Sequence, residues 1–183
     1  MIRRTLIVLA ILILPIFLGI SHAQQKNLER GQSLLLAAYT DPINQIAVSV
    51  HLTRKLNDSF FLTAEFIPPA GYHLYSKDLP RSGMDGQGRP TLLELPPNSR
   101  MQSTGVLAES VSSAMVGYQP DGPSVYPDGP VTLTLPIKLP PVSGWVEDQI
   151  SVTYMACSES VCKVPTVGKL ITVSIPGALS LMP

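Results

Sequence analysis

The sequence lacks an excess of charge of either sign. Basic and acidic residues number 13 each, so the formal net charge at pH 7 is zero. Proteins that bind nucleic acids or anionic membranes usually carry a basic excess or a basic patch. The even balance indicates neither kind of partner, and we expect no nucleic acid to bind.

Long apolar runs are also scarce, since only one approaches membrane-spanning length. This run, Leu6 to Ile20, follows two arginines and precedes the small-x-small sequence Ser21-His22-Ala23. The three-part pattern is typical of a secretory signal peptide, so we predict that residues 1–23 are cleaved off. The alternative is an uncleaved anchor, but the run is shorter than the roughly 20 residues of a spanning helix and contains Pro15. We therefore expect an exported, periplasmic protein whose mature form has no membrane span.

The sequence also contains few cysteines and histidines, two and three respectively. Both cysteines, Cys157 and Cys162, lie in the mature part of the chain, where export allows disulfides to persist. Their even number suggests that they pair with each other. His51 and His73 do not combine with them into a compact zinc pattern, and no serine-histidine-carboxylate arrangement is supported. No metal or other cofactor is predicted.

Most of the remaining apolar segments alternate with a period of two, and turn sequences rich in Gly, Pro, Asn and Asp separate them. The alternating segments are residues 46–52, 60–66, 131–139, 150–156 and 171–175. This pattern is typical of strands with one buried face and predicts an all-β antiparallel sandwich. Residues 28–39 could form either a helix or a strand. With no internal repeat and no long linker, we predict one domain, residues 46–183, after a lead-in segment, residues 24–45.

The cysteine pair lies on either side of a predicted tight turn. A strand runs into Cys157, four residues intervene, and Cys162 leads towards the next strand, so a bridge is sterically reasonable. A bridge that closes so short a loop stabilises a fold by roughly 2 kcal/mol, against about 3 kcal/mol for a 15-residue loop. A short, exposed bridge is also open to attack by a thiolate. From these residues alone, a structural staple and a redox-active disulfide both remain open.

Three segments carry a resemblance to a known family. They are residues 69–79 (PAGYHLYSKDL), residues 124–137 (SVYPDGPVTLTLPI) and residues 152–165 (VTYMACSESVCKVP). In this order they resemble the N-terminal periplasmic domain of the thiol:disulfide interchange protein DsbD, the disulfide-corrector family. The segment with the cysteines is the most specific of the three.

The resemblance implies an immunoglobulin-like sandwich with the cysteine pair at one end, shielded by a flexible cap loop. Family members pass electrons from a membrane thiol reductant, through a thioredoxin-like domain, to periplasmic disulfide isomerases and cytochrome-maturation proteins. By position, Cys162 would form the mixed disulfide with a partner and Cys157 would resolve it. Tyr72 and Tyr75 match aromatic positions that line the family's cysteine site, and Tyr118 is a candidate for the cap residue.

The sequence departs from the family after the second cysteine, where Lys163-Val164-Pro165 replaces an aromatic residue or leucine followed by two prolines. It also ends at Pro183 with neither a membrane domain nor a thioredoxin-like domain, so we expect a separate membrane reductant. The leading hypothesis is a thiol-disulfide oxidoreductase of the protein-disulfide reductase type. The alternatives are a non-catalytic binding or assembly module with a structural disulfide, and a metal chaperone that uses the thiols for a soft ion.

Overall fold

The computed structural model describes residues 28–84, 86, 88–115 and 122–182 of the chain. The predicted signal peptide, residues 1–23, and the candidate cap residue Tyr118 therefore lie outside the described residues. The strands in the described part of the chain are β1 (Ser33–Thr40), β2 (Ala47–Arg54), β3 (Phe60–Ile67), β4 (His73–Leu74), β5 (Leu92–Glu94), β6 (Gln102–Ser103), β7 (Ala108–Glu109), β8 (Ala114–Met115), β9 (Ser124–Val125), β10 (Val131–Lys138), β11 (Trp145–Tyr154), β12 (Ala156–Cys157) and β13 (Thr166–Pro176). A 3₁₀ helix, Ala178–Leu181, follows β13. Nowhere in these residues does a helix reach the length and hydrophobicity that crossing a membrane requires.

The larger sheet is antiparallel and has the order β1–β2–β3–β10, with the two-residue strands β6 and β7 both pairing with the outer edge of β10. β2 and β3 form a hairpin that closes at the pair Arg54–Phe60. Asp58 in the turn has a φ of 61°, a left-handed conformation that aspartate tolerates better than most residues. The hairpin thus places a short polar turn at one end of the sandwich.

β1 resolves the choice between helix and strand for residues 28–39, since Ser33–Thr40 pairs with β2 from Ser33–Thr53 to Thr40–Ala47. The pairing shifts register between Leu35 and Ala37, which is the signature of a bulge. The larger sheet therefore begins within the predicted lead-in segment.

The smaller sheet has the order β13–β11–β5 and is also antiparallel. β11 and β13 pair along most of their length, from Trp145–Pro176 to Tyr154–Thr166. Two further pairs of short strands, β4 with β12 and β8 with β9, lie outside both sheets. Because β12 follows β11 after a single residue, the end of the smaller sheet leads directly into the cysteine pair.

The two sheets bury their apolar faces against each other, as the alternation predicts. The buried residues include Val48, Val50 and Leu52 of β2, Leu62, Ala64 and Phe66 of β3, Leu133, Leu135 and Ile137 of β10, Ile150, Val152 and Tyr154 of β11, and Val173 and Ile175 of β13. The Phe66 and Tyr154 rings meet across the sandwich with their centroids 5.7 Å apart. A sheet of four main strands that faces a sheet of three is the layout of an immunoglobulin-like sandwich. The predicted all-β fold is confirmed.

Arg54 ties both ends of the described chain to the β2–β3 turn. Its guanidinium donates to the carbonyl oxygens of Leu28 (3.1 Å) and Leu181 (2.8 Å). It also pairs with the Asp58 carboxylate at 2.8 Å, although only 11% of the Arg54 side chain is exposed. A buried charge is retained only when it is paired and hydrogen-bonded, and Arg54 meets both conditions.

Candidate functional site

Asp41 holds both ends of the segment that carries the cysteines. We call residues 155–165 the cysteine segment; Tyr154 precedes it and Thr166 follows it. The Tyr154 hydroxyl donates to Asp41 Oδ2 at 2.9 Å, and the Thr166 hydroxyl donates to the same oxygen at 3.0 Å. Tyr154 and Thr166 are also opposite each other in the ladder of β11 and β13. The segment therefore leaves and re-enters the sandwich at one fixed point.

The charge of Asp41 is stabilised although its side chain is buried. Burial alone would raise the pKa of this carboxyl. The hydrogen bonds that it accepts outweigh burial, among them those from the Ile43 amide and the Tyr154 hydroxyl, and they hold the pKa below its usual value. An ionised Asp41 at neutral pH accepts charge-assisted hydrogen bonds, which are stronger than neutral ones.

Within the segment, Cys157 and Cys162 lie directly opposite each other in a short antiparallel hairpin. The Ser158 amide donates to the Val161 carbonyl on one side of the pair, and the Lys163 amide donates to the Ala156 carbonyl on the other, both at 2.8 Å. The cysteines thus occupy a non-hydrogen-bonded position, where facing strands approach most closely. Their Cα atoms are 4.0 Å apart, and the predicted disulfide is present.

The two sulfurs of the disulfide have different surroundings. Cys157 is 2% exposed and pairs with His73 of β4 on the side away from Cys162. Tyr75 and Leu79 form a small apolar cluster with it. Cys162, in contrast, is exposed. This difference in exposure favours attack by an incoming thiolate at Cys162 over attack at Cys157.

Tyr75 places a hydrogen-bond donor at the buried sulfur. Its hydroxyl donates to Cys157 Sγ at 3.1 Å and lies 4.0 Å from Cys162 Sγ. Burial raises the pKa of Tyr75, so the phenol stays protonated at neutral pH. A hydrogen bond to the charged form of a group favours that form, so this hydroxyl is placed to stabilise a Cys157 thiolate when the disulfide opens.

Three neighbours hold Tyr75 in place. The Thr91 hydroxyl donates to the Tyr75 carbonyl at 2.7 Å, and Tyr75 forms an isolated bridge with Val125. Gly88, which has a φ of 74°, lies so close to the ring that a Cβ there would be 3.1 Å from Tyr75 Cε1. A side chain at position 88 would therefore press on the ring as well as strain the backbone.

Tyr72 lies beside the cysteine pair without forming part of the same cluster. The Lys163 ammonium is 4.9 Å from the centroid of the Tyr72 ring, and it also donates to the Gln45 amide oxygen at 3.5 Å. A cation over an aromatic face is attracted by the ring quadrupole. Tyr72 thus holds the side chain that follows Cys162 in sequence.

A groove of about 710 Å³ opens at the disulfide. Its lining residues are Gly71, His73, Tyr75, Pro123, Val125, Asp128, Cys157, Ser158, Glu159, Ser160 and Cys162. The groove thus brings apolar, acidic and imidazole groups next to both cysteines. No group of three or more His, Cys, Asp and Glu side chains suited to a metal ion occurs within the described residues.

The structure places the predicted site residues in different positions relative to the disulfide. Tyr75, predicted only by resemblance, contacts the disulfide, whereas Tyr72 contacts Lys163, the residue that follows Cys162. Tyr118 lies outside the described residues and stays a prediction. The role of Asp41 was missed, because its two partners are 113 and 125 residues away and no local pattern marks them.

Comparisons with known proteins give one similarity. No family model matches the chain, and no curated protein matches it. A solved structure, the N-terminal domain of DsbD from Neisseria meningitidis in the reduced form, is similar with a TM-score of 0.40 and 14% sequence identity. The match covers 78% of this chain and 84% of that one. Membership of the disulfide-corrector family stays a prediction for this chain.

Proposed function

We propose that this protein is a periplasmic thiol-disulfide exchange protein that works through Cys157 and Cys162. The observation that carries the proposal is the asymmetry of the disulfide. Cys162 is an exposed residue, whereas Cys157 is buried and has a phenolic donor 3.1 Å from its sulfur. Disulfide exchange needs an accessible sulfur to attack and a stabilised thiolate to leave. A purely structural staple needs neither.

The chemistry runs through a mixed disulfide at Cys162 in both directions. In the direction that reduces this domain, a partner's thiolate attacks Cys162 Sγ of the oxidised protein. The Cys157–Cys162 bond breaks, and Cys157 leaves as a thiolate that Tyr75 stabilises. A second partner thiolate then attacks the mixed disulfide at the partner's sulfur and frees Cys162. When the domain reduces a substrate, the Cys162 thiolate attacks the substrate disulfide, and Cys157 attacks Cys162 to close the internal bridge. Each cycle moves two electrons.

The proposed partners follow from this chemistry and from the resemblance of residues 69–79, 124–137 and 152–165. Reducing equivalents would come from a membrane thiol reductant or a thioredoxin-like domain. They would pass to exported proteins such as a periplasmic disulfide isomerase or a cytochrome-maturation protein. The protein is then an electron-transfer component and an oxidoreductase of the protein-disulfide reductase type, without a cofactor of its own.

Trapping distinguishes this function from a structural role. A Cys157→Ser variant keeps the exposed thiol but cannot resolve the mixed disulfide, so it should accumulate covalent complexes in the periplasm of a host that expresses it. The matched Cys162→Ser variant keeps only the buried thiol and should trap at least tenfold less. Complexes are counted on non-reducing gels and disappear on reduction.

The reduction potential provides the second measurement. Structural disulfides have potentials below about −300 mV, whereas exchangeable ones lie higher. We expect a potential above that value for the Cys157–Cys162 couple, measured against glutathione or dithiothreitol. A potential below it, together with no complex trapped by Cys157→Ser, would favour the binding module with a structural disulfide.

A further inference from the structure

Cys157 is the cysteine whose thiol proton is harder to remove. It is 2% exposed, and burial in apolar surroundings disfavours a thiolate. Cys157 must nevertheless be a thiolate when it closes the internal bridge, and it leaves as a thiolate when the bridge opens. The exchange reaction therefore needs a group next to Cys157 that accepts a proton and returns it.

The Tyr75 hydroxyl, which contacts the sulfur, does not meet this need. It donates to Cys157 Sγ at 3.1 Å, and burial raises the pKa of Tyr75, so the phenol keeps its own proton at neutral pH. The hydroxyl stabilises a thiolate that has already formed, but it takes no proton from the thiol.

The imidazole of His73 projects to the same face as this sulfur. His73 of β4 pairs with Cys157 of β12 in an antiparallel register. Side chains directly opposite each other in such a pair lie on one face, with Cβ atoms about 4.5–5.5 Å apart. Tyr75 lies two residues further along the chain, and its ring meets the His73 ring edge-on, with the centroids 6.0 Å apart. Both rings therefore lie beside Cys157.

The charges in the groove favour proton uptake by an imidazole. Besides the two cysteines, the titratable groups among the described residues that line it are His73, Tyr75, Asp128 and Glu159. Nearby carboxylates favour a positive charge on an imidazole. Unperturbed pKa values are about 4 for a carboxyl group, about 6.5 for an imidazole and about 8.5 for a thiol. The imidazole is thus the best matched acceptor for a thiol proton near neutral pH.

We propose that His73 accepts the proton of Cys157 and returns it during disulfide exchange. This inference rests on the proposed function and assigns the proton that the reaction moves. In the closing step, His73 takes the Cys157 proton directly or through one water, and the thiolate attacks Cys162 Sγ. The bond between Cys162 and the substrate sulfur breaks, and that sulfur leaves with the electron pair as a thiolate. The imidazolium then gives its proton to this thiolate or to water, and the two electrons of the dithiol have passed to the substrate.

The opening step runs the same transfers in reverse. A partner's thiolate forms a bond to Cys162 Sγ, and the Cys157–Cys162 bond breaks with its electron pair on Cys157. The Cys157 thiolate then takes up the proton of the His73 imidazolium. A group that is an acid in one direction is necessarily the base in the other, so one imidazole serves both.

The pH profile of the closing step tests this assignment. The probe is the aryl disulfide dithiobis(nitrobenzoate), mixed with an equal concentration of reduced protein in a stopped-flow instrument. Attack by Cys162 releases a first coloured thionitrobenzoate, and closure by Cys157 releases a second, so the second phase measures closure alone. The quantity compared is the midpoint of its pH profile, because the intrinsic reactivity of a thiolate also changes with its pKa. The variants are His73→Gln and, as the matched control, His51→Gln, which makes the same change on β2.

We expect His73→Gln to move the midpoint up by about one pH unit, because the thiolate loses a neighbouring positive charge. His51→Gln should leave the midpoint in place, since His51 does not line the groove. Equal midpoints for the wild type and both variants would overturn the role of His73 and leave the exchange function intact. If the wild type released no second thionitrobenzoate, Cys157 would not close the bridge, and the proposed function would fail together with this inference.

Direct titration of the Cys157 thiol gives an independent readout without kinetics of attack. In the Cys162→Ser background, thiolate absorbance is followed against pH for the same two histidine variants. His73→Gln should raise the thiol pKa by about one unit, whereas His51→Gln should not change it. If the imidazole only packed against its neighbours, His73→Gln would lower the free energy of unfolding and leave the thiol pKa in place. That result would contradict the proposal.

Discussion

The β2–β3 turn and the turn between Cys157 and Cys162 both end a hairpin, and both are crosslinked. The two crosslinks differ in kind and in how far apart in the sequence the joined residues lie. In the first turn, Asp58 forms ion pairs with Arg30 and Arg54. Through Arg54, that turn holds residues from both termini of the described chain. This noncovalent crosslink therefore joins residues that lie far apart in the sequence. In the second turn, a covalent bond joins residues only five apart. We therefore expect the noncovalent tie to contribute more to the stability of the fold than the covalent one.

The largest effect on stability should come from removing Arg54. Replacement by alanine leaves the carbonyl oxygens of Leu28 and Leu181 without their donor, and it deletes a buried, paired charge. We expect Arg54→Ala to lower the free energy of unfolding by about 2–4 kcal/mol, measured by urea denaturation of the oxidised protein.

The matched control is Arg30→Ala, which removes the other partner of Asp58. Arg30 is 54% exposed, and an exposed ion pair contributes little to stability because water screens it. Equal losses for the two variants would show that the Arg54 contacts to the chain ends contribute little.

An intermediate effect is expected from deleting the disulfide. The Cys157→Ala/Cys162→Ala variant should lose roughly 2 kcal/mol, because so short a closed loop restricts the unfolded chain only slightly. The same denaturation experiment measures it, with wild type under reducing conditions as the control. A loss larger than that of Arg54→Ala would reverse the comparison and favour a structural role for the bridge.

The smallest expected effect concerns the pKa of the Cys157 thiol rather than the stability of the fold. In the Cys162→Ser background, Tyr75→Phe removes the hydroxyl that donates to Cys157 Sγ. The pKa of the Cys157 thiol should then rise by about one unit, since hydrogen bonds to charged groups contribute about 1.5 kcal/mol or more. The thiolate absorbance near 240 nm, followed against pH, measures this shift.

Tyr72→Phe in the same background provides the control, because Tyr72 contacts Lys163 and not the sulfur. If Tyr75→Phe left the thiol pKa unchanged while unfolding stability stayed near wild type, the stabilising role of the hydroxyl would be refuted.

Local patterns carried most of the fold prediction. Apolar and polar residues alternate in β2, β3, β10, β11 and β13. This alternation predicts strands because every second side chain of a strand faces the same, buried side of the sheet. The pattern does not decide between helix and strand for β1, since its apolar run, Leu34 to Ala38, does not alternate, and its bulge shifts the inward-facing positions. Periodicity fails where the backbone itself departs from a regular period.

The site was predictable only where its contacts are local. Pairing of Cys157 with Cys162 follows from a tight turn, which the sequence marks. The contact between Tyr75 and Cys157 spans 82 residues and depends on how β4 meets β12. Resemblance supplied that residue, whereas nothing in the sequence distinguished Asp41 from other aspartates in turns.

The attachment of both ends of the cysteine segment to Asp41 has a consequence for repeated turnover. Because the hydrogen bonds of Tyr154 and Thr166 to one carboxylate do not involve the sulfurs, we expect that breaking the bridge releases only residues 155–165. The sandwich beneath them should then be the same in the disulfide and dithiol states. We therefore expect reduction to leave the sandwich folded and to lower the free energy of unfolding by no more than the roughly 2 kcal/mol expected for deleting the bridge.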